Sequence, residues 1–479
     1  MSAANSKAIF WLRRDLRIHD NPALHVALKS GATEAIFIST PKQWHDHHLA
    51  PIQADFIQRH LVALAQELLE IGVKLIHLTA TDYDAQRETL SRYCLQHSIS
   101  TVFANREPEI NEIERDSKLQ HAPFELKLFS CDTILPVGSV LNKQGQMFKV
   151  FTPFKNAWLK RLQLTGIGLV QTLSDSHHKR AAMEKRTDNG TPIEFDYPTR
   201  DSSQWPLASQ VMQHVVPQFL ETKLDDYALK RDYPGIKGTS GLSPYLAIGA
   251  ISPRLLAIQL VQHQPNILSD TSAKGFAWFN ELIWRDFYKH LLFHFPNLAK
   301  GDCFQARYQH IAWQHNHAHF VAWCEGRTGY PLVDAAMKQL VNTGWMHNRL
   351  RMVVASFLTK HLLVDWRLGE RFFMSQLIDG DLSANNGGWQ WAASTGCDAQ
   401  PYFRVFNPIL QSKKFDPNGE FIRKYLPELK NVPDKHIHFP HVYLELHENR
   451  DLYCAPIVDH KDARQRAIEL FKQHNLNTS

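Results

Sequence analysis

The chain of 479 residues contains no run approaching the roughly 18 consecutive apolar residues that a membrane-spanning helix needs, so a membrane protein is not expected. Its polar start, Met1 to Lys7, and the short run Ala8–Leu12 do not make a secretory leader; that run reads as a first strand. Cysteine is sparse and scattered (Cys94, Cys131, Cys303, Cys324, Cys397, Cys454), with no Cys-x-x-Cys pair. This argues against a disulfide framework and a zinc cluster and for a reducing, cytoplasmic compartment. The sequence lacks a Gly-x-Ser-x-Gly elbow, a phosphate-binding P-loop and a His-Glu-x-x-His helix, which removes the common hydrolase, nucleotidase and metalloprotease chemistries. Histidine is plentiful at 27 residues but scattered, as in His45/His47/His48 and His315/His317/His319, so most are expected to be exposed and no metal is expected. After the first strand the chain reads RRDLRIHDNPAL where a dinucleotide fold would carry Gly-x-Gly-x-x-Gly. A standard dinucleotide site is therefore not supported there.

A hydrophobic fraction of 44% and a charged fraction of 21% describe an ordinary globular protein, and the length suits two or three domains. Net charge is +5, unevenly placed: residues 1–135 hold 14 basic against 17 acidic side chains, the remainder 39 against 31. A polyanionic partner, if there is one, would meet the C-terminal part; charge alone fits a mildly basic enzyme without such a partner better. Ala8–Leu12, Ala35–Ser39, Lys74–Thr79 and Thr101–Ala104 read as buried strands, with amphipathic helices over Pro51–Ile71 and Asp82–His97 between them. Strand–helix alternation of this kind predicts a parallel sheet with helices on both faces. Phe151–Leu164 predicts one helix, Thr165–Gln204 is a polar connection, and the rest shows helical periods. The expected architecture is a Rossmann-like α/β domain (1–135), a long linker (136–205) and a large all-α domain (206–479).

Eight of twelve tryptophans fall between 278 and 391. They make either a large aromatic core or a pocket that stacks planar rings. In AWFNELIWRDFYKHLLFHF (277–295), Trp278, Glu281, Trp284, Arg285 and Tyr288 recur at three- and four-residue steps and share a face. A carboxylate, a guanidinium and two indoles together suit the wall of a binding cavity better than plain core, where each charge would need a partner. GWMHNRLRM places Trp345, Asn348, Arg349 and Met352 on one helix face with Arg351 one step round; the amide can read a base or flavin edge. In KGTSGLSPYL, Pro244 follows Ser243 at a helix start, so the amides of Thr239–Ser243 form either an anion nest or an ordinary cap. IDGDLSANNGGWQWAASTG (378–396) concentrates Asp379, Asp381, Asn385, Asn386, Trp389 and Trp391 without period and reads as a loop lining a polar ligand site.

At these residues the sequence closely resembles the photolyase/cryptochrome family, and within it the bacterial class I cyclobutane pyrimidine dimer photolyases. The strings FWLRRDLRIHDNPAL, WFNELIWRDFY, GYPLVDAAM, GWMHNRLRM, SQLIDGDLSANNGGWQWAASTG, PYFRVFNP and FIRKYLPEL carry the resemblance. It implies FAD held in a U shape in the helical domain, with Tyr227 and Thr239, Ser240, Gly241, Leu242 and Ser243 on its phosphate side. Trp278, Arg285, Asn348, Arg351, Asp379, Asp381 and Asn385 would surround the rest, Asn385 near flavin N5 and Arg351 paired with Asp379. Trp389, Trp366 and Trp313 match the family's photoreducing tryptophan chain.

For the substrate, the resemblance implies a dimer flipped out of DNA, with Glu281 and Asn348 on its bases, Trp284 and Trp391 as an aromatic wall and Met352 opposite. Arg231, Arg285, Arg349 and Arg404 would meet phosphates. Reduced flavin excited by blue light would lend the dimer an electron and recover it after ring opening. Asn348 replaces the histidine of six-four photolyases, and Asn385 the acid of plant cryptochromes. Asn111, Glu112 and Lys300 match the methenyltetrahydrofolate antenna positions, although Ala299 stands where the family pattern has cysteine; a deazaflavin or an empty antenna site stays open. A monomer, cytoplasmic and associated with the nucleoid, completes the expectation. The rivals are a cryptochrome-type photoreceptor without repair activity and a helical nucleic-acid-binding protein without cofactor.

Overall fold

The computed structural model describes residues 7–170 and 193–477. By packing, the chain divides into two compact units, Met1–Leu224 with Ser240–Pro296, and Asp225–Thr239 with Asn297–Ser479.

In the first unit, short apolar runs become strands β1 (Lys7–Leu12), β2 (Glu34–Ser39), β3 (Lys74–Thr79), β4 (Ile99–Asn105) and β5 (Glu125–Phe129). They form one parallel sheet in the order β3-β2-β1-β4-β5, with Trp11 in register with Ile36 on one side and Ala104 on the other. The β1 residues Ile9 to Leu12 are all buried, which is why they read as a continuous apolar run rather than an alternating one. Helices Pro51–Glu70 and Tyr83–Gln96 stand within one residue of their expected ends, the second started by Asp82, whose Oδ1 accepts from Ala85 N at 3.1 Å. β5 was not foreseen.

In a sheet of this order the ligand crevice lies between β1 and β4, where the winding reverses. Here the protein's own charges occupy it. Arg13 lies over the Trp11 ring at 3.9 Å and reaches Asp116 at 2.7 Å, while Arg115 meets Glu107 at 2.9 Å. The absence of a glycine fingerprint and the presence of this plug are one fact seen at two levels.

The helix Phe276–His294 belongs to the same unit and is fixed by Asp286, which is fully buried. Its carboxyl accepts from Trp158 Nε1 (2.9 Å) on the helix Phe151–Thr165 and from the amides of Ile134 (3.1 Å) and Leu135 (3.2 Å). Burial pushes it up to about 6 despite these donors. Of the expected linker, residues 171–192 lie outside the described residues. The part that follows is held against the helix Pro51–Glu70, with Ser202 N on Asp55 Oδ2 (2.9 Å) and Arg59 Nη1 on the Ser202 carbonyl (2.7 Å).

The second unit is helical, with no strand among its described residues. Its core joins the helices Pro331–Thr343, Asn348–Ser356, Trp366–Gln376 and Leu382–Ala393. No described helix is long and apolar enough to cross a membrane. The stretch 378–396 corrects the loop expectation: from Leu382 to Ala393 it is α-helix, capped by Asp381 through Ala384 N at 3.1 Å. Burial on several sides (Ser383, Asn386, Trp389, Gln390, Ala392) erases the one-sided apolar period by which a surface helix is recognised.

Lys360 is the most unusual member of this core. It is fully buried, its Nζ 2.8 Å from Ser394 Oγ and 3.8 Å from the Phe471 ring centre. Burial pulls its ammonium down to about 7. The unfolded chain, with an ordinary lysine, binds the extra proton from about pH 7 upward, so this group's contribution rises with pH there and is lost as pH falls through 7. Wild type should therefore gain about 2 kcal/mol over Lys360→Met between pH 7 and pH 9. Urea unfolding of both proteins at the two pH values, compared as a double difference, measures it.

Candidate active site

The helix Phe276–His294 alternates a buried side, including Trp278, Leu282, Asp286 and Lys289, with a half-buried side holding Glu281, Trp284, Arg285 and Tyr288. The face expected from spacing is thus present, except that Trp278 turns inward. Its Nε1 donates to Ser240 Oγ at 3.2 Å. Trp284 is stacked on Phe151 with ring centres 3.5 Å apart and planes 5° from parallel, and also meets Tyr288 and, edge-on, Phe287. Arg285 is held by the Asp132 carboxylate and backbone carbonyl and by Leu246 O at 3.3 Å. The KGTSGLSPYL segment does open a helix, Ser243–Ala247, with proline in its first turn. Gly241 precedes it at φ +67°, a left-handed conformation that favours glycine.

Still within this unit, Asn111 and Glu112 open the helix Ile110–Ser117. Asn111 Nδ2 is 2.9 Å from His47 Nε2, and Glu112 accepts from Tyr83 OH at 2.6 Å. Burial, with Glu109 and Glu107 nearby, pushes the Glu112 carboxyl up to about 7. His47 was dismissed as one of a scattered cluster. His45 and His48 are indeed exposed, but His47 is half-buried and bonded, a distinction set by a partner 64 residues away.

The second unit carries the remaining residues. Asn348 is exposed at the first position of the helix Asn348–Ser356, followed by half-buried Arg349, Arg351 and Met352. Arg351 Nη2 lies 2.8 and 3.0 Å from the two oxygens of buried Asp379, and its Nε donates to Met346 O at 2.8 Å. Arg349 pairs with Asp232 at 2.9 Å and covers the Phe415 ring. Asp381 ends the turn after Asp379 and starts the helix that carries Asn385, Trp389 and Trp391. Asn385 Nδ2 donates to Glu370 O and Asn386 Nδ2 to Glu370 Oε1, both at 2.9 Å; burial pushes the Glu370 carboxyl up to about 7.

Trp389 packs edge-on against Trp323 and Phe373, Trp366 is fully buried and Trp313 nearly so. Trp391 is half-buried beside Phe406, Tyr227 is buried under Arg231, Lys300 and Arg404 are exposed, and Thr239 is half-buried.

Two families of known proteins match this chain: the pattern described as DNA photolyase over residues 8–174, and that described as the FAD binding domain of DNA photolyase over 278–473. A deoxyribodipyrimidine photo-lyase of Vibrio cholerae is 47% identical over 97% of this chain and 99% of its own, and that of Escherichia coli 44% identical over 97% and 98%. The chain belongs to the DNA photolyase family. Among solved structures, a Synechocystis cryptochrome matches 98% of the chain and all of its own with a TM-score of 0.81 at 28% identity. An archaeal photolyase of Sulfolobus tokodaii, solved with two FAD molecules, matches 98% and 100% at 0.75 and 30%. As a photolyase-family member the chain has FAD as its cofactor, and every expected site residue from Trp278 to Arg404 falls inside the FAD-binding match.

Gly369, unnoticed in the sequence, makes room for Trp389: a Cβ there would stand 2.2 Å from the Trp389 ring. Gly369→Ala should cost about 1–3 kcal/mol through overpacking and shift the tryptophan emission. Urea melts with intrinsic fluorescence test it; an unchanged midpoint and spectrum would show that the ring is not confined.

Proposed function

We propose that this protein is a deoxyribodipyrimidine photolyase, repairing cyclobutane pyrimidine dimers in DNA under blue light. The observation that carries the reading is 44–47% identity over nearly the whole length to relatives of that name. Asn348 and Asn385, in place of the six-four histidine and the plant-cryptochrome acid, support it further.

The residues present fit FAD. The buried carboxylate of Asp379 is neutralised by Arg351, so the pair can face a flavin ring without an uncompensated charge. The amide of Asn385 is fixed by Glu370, and the Ser240–Ser243 turn offers backbone donors before a helix. Tyr227, Thr239, Ser240, Gly241, Leu242, Ser243, Trp278, Arg285, Asn348, Arg351, Asp379, Asp381 and Asn385 would hold the cofactor. When bound and reduced, it supplies one electron to the dimer on absorbing blue light and takes it back once the ring has opened.

The protein's own residues bind and orient the lesion. Glu281 and Asn348 would hydrogen-bond the dimer bases, the half-buried Trp284 and Trp391 would stack against them, and Met352 would close the other side. Arg231, Arg285, Arg349 and Arg404 attract the phosphates. Trp389, Trp366 and Trp313 would provide the aromatic path by which electrons from an external reductant reach a bound flavin.

Residues 1–135 serve as the antenna domain, joined by 136–205 to the FAD- and DNA-binding 206–479. Asn111, Glu112 and Lys300 would hold 5,10-methenyltetrahydrofolate, His47 fixing the Asn111 amide. The protein acts as a monomer in the cytoplasm, on nucleoid DNA.

Purified, reduced protein should restore a dimer-containing oligonucleotide in blue light and not in the dark. Equal restoration in darkness, or none in light with flavin bound, overturns the reading, and the latter outcome favours a cryptochrome-type receptor. Glu281→Ala should slow repair about tenfold or more, the loss expected for a hydrogen bond to a charged group. Trp313→Phe should abolish photoreduction yet leave repair by chemically reduced protein intact.

A further inference from the structure

A cavity of about 490 Å³ opens beside edge strand β5 in the first unit, a volume typical of small-molecule sites. Leu126 and Leu128, on one face of β5 by the two-residue period, form its floor together with Leu119 and Phe124, the residue just before the strand. Ile113 and Phe293 line it while remaining 36% and 41% exposed; large apolar side chains left open around a concavity are the usual mark of a missing occupant. The cavity is separate from the antenna residues. Ile113, Asp116 and Ser117 line it from the face of the helix Ile110–Ser117 turned almost half a revolution from Asn111.

Charge decides what would bind. Five charged side chains line the cavity, four of them acidic, yet every acid is already matched. Glu107 and Asp116 are held by Arg115 and Arg13, Asp132 by Arg285 and Lys289, and Glu125 by Lys127 at 3.0 Å. Arg106 is the exception: its backbone N–H donates to Phe129 O, but its exposed guanidinium has no ion-pair or hydrogen-bond partner among the described residues. A guanidinium is a planar fork suited to a carboxylate, sulfonate or phosphate.

We propose that this cavity is a second small-molecule site, taking a flat, mostly apolar ring ligand that carries one anionic group: the rings lie on the β5 floor and the anion meets Arg106. Binding here is independent of the flavin and of dimer repair.

The test uses the full-length, FAD-loaded protein and anilinonaphthalene sulfonate, a fused aromatic with one sulfonate, followed by fluorescence. Saturable binding of one probe per chain is expected, weakened about tenfold in Arg106→Glu, a change of one charge-assisted hydrogen bond. Leu126→Trp, which fills the floor, should abolish it. The neutral isostere N-phenylnaphthylamine should bind wild type and Arg106→Glu alike. Light-driven repair should be unchanged in both variants. No saturable binding to the wild type, or an affinity unaltered by Arg106→Glu, overturns the proposal; because Arg106 is exposed, its replacement leaves folding intact.

Discussion

A carboxylate removed from water is tolerable only where donors converge on it, and this chain repeatedly meets that requirement with backbone amides. Asp334 accepts from Thr328 N (2.7 Å), Thr328 Oγ1 (2.6 Å) and Gly329 N (3.0 Å) just ahead of, and within, the helix Pro331–Thr343. Asp416 accepts from Phe421 N and Ile422 N in the helix Glu420–Tyr425. Asp381 does the same for the helix bearing Asn385 and Trp389, and Asp286 latches a helix to a distant loop. The Asp381 and Asp416 latches set where a helix begins, and hence where its later side chains point. Positions such as Asn385, one turn after Asp381, inherit their placement from a buried charge.

The same electrostatics bears on how DNA would be held. Arg285 and Arg349 already pair with Asp132 and Asp232, so a phosphate arriving at either must share the guanidinium with a carboxylate. Arg404 is exposed. Contacts made by the paired arginines release fewer counterions than free cations would, which tempers the salt dependence expected from a simple count of basic residues.

Much of the fold was legible because the central strands β1, β2 and β4 are largely buried apolar runs; the long helices were bounded within one or two residues. β5 was missed because Lys127 interrupts its leucines in ELKLF, leaving no continuous apolar run, whereas the equally exposed edge strand β3 keeps Leu75 and Ile76 side by side. The helix Leu382–Ala393 was hidden by its two glycines and by burial on several sides. Residue types at the site were readable, and so was the shared face of Glu281, Trp284 and Arg285. Their partners were not. Asp132 lies 153 residues from Arg285 and Asp232 lies 117 from Arg349, and nothing local announces that Gly369 must stay small for Trp389. Long-range complementarity is a property of the folded chain that spacing does not encode.

The ion cluster that fills the gap between β1 and β4 has an evolutionary corollary. Restoring glycines after β1 would not by itself turn this sheet into a dinucleotide binder, since Arg13 and Arg115 each pair with both Glu107 and Asp116, and removing either guanidinium leaves two buried carboxylates with one fewer cation. Interlocked in this way, the charges have to change together before the crevice between β1 and β4 could admit a ligand, and the space left for one lies on the flanks of the sheet.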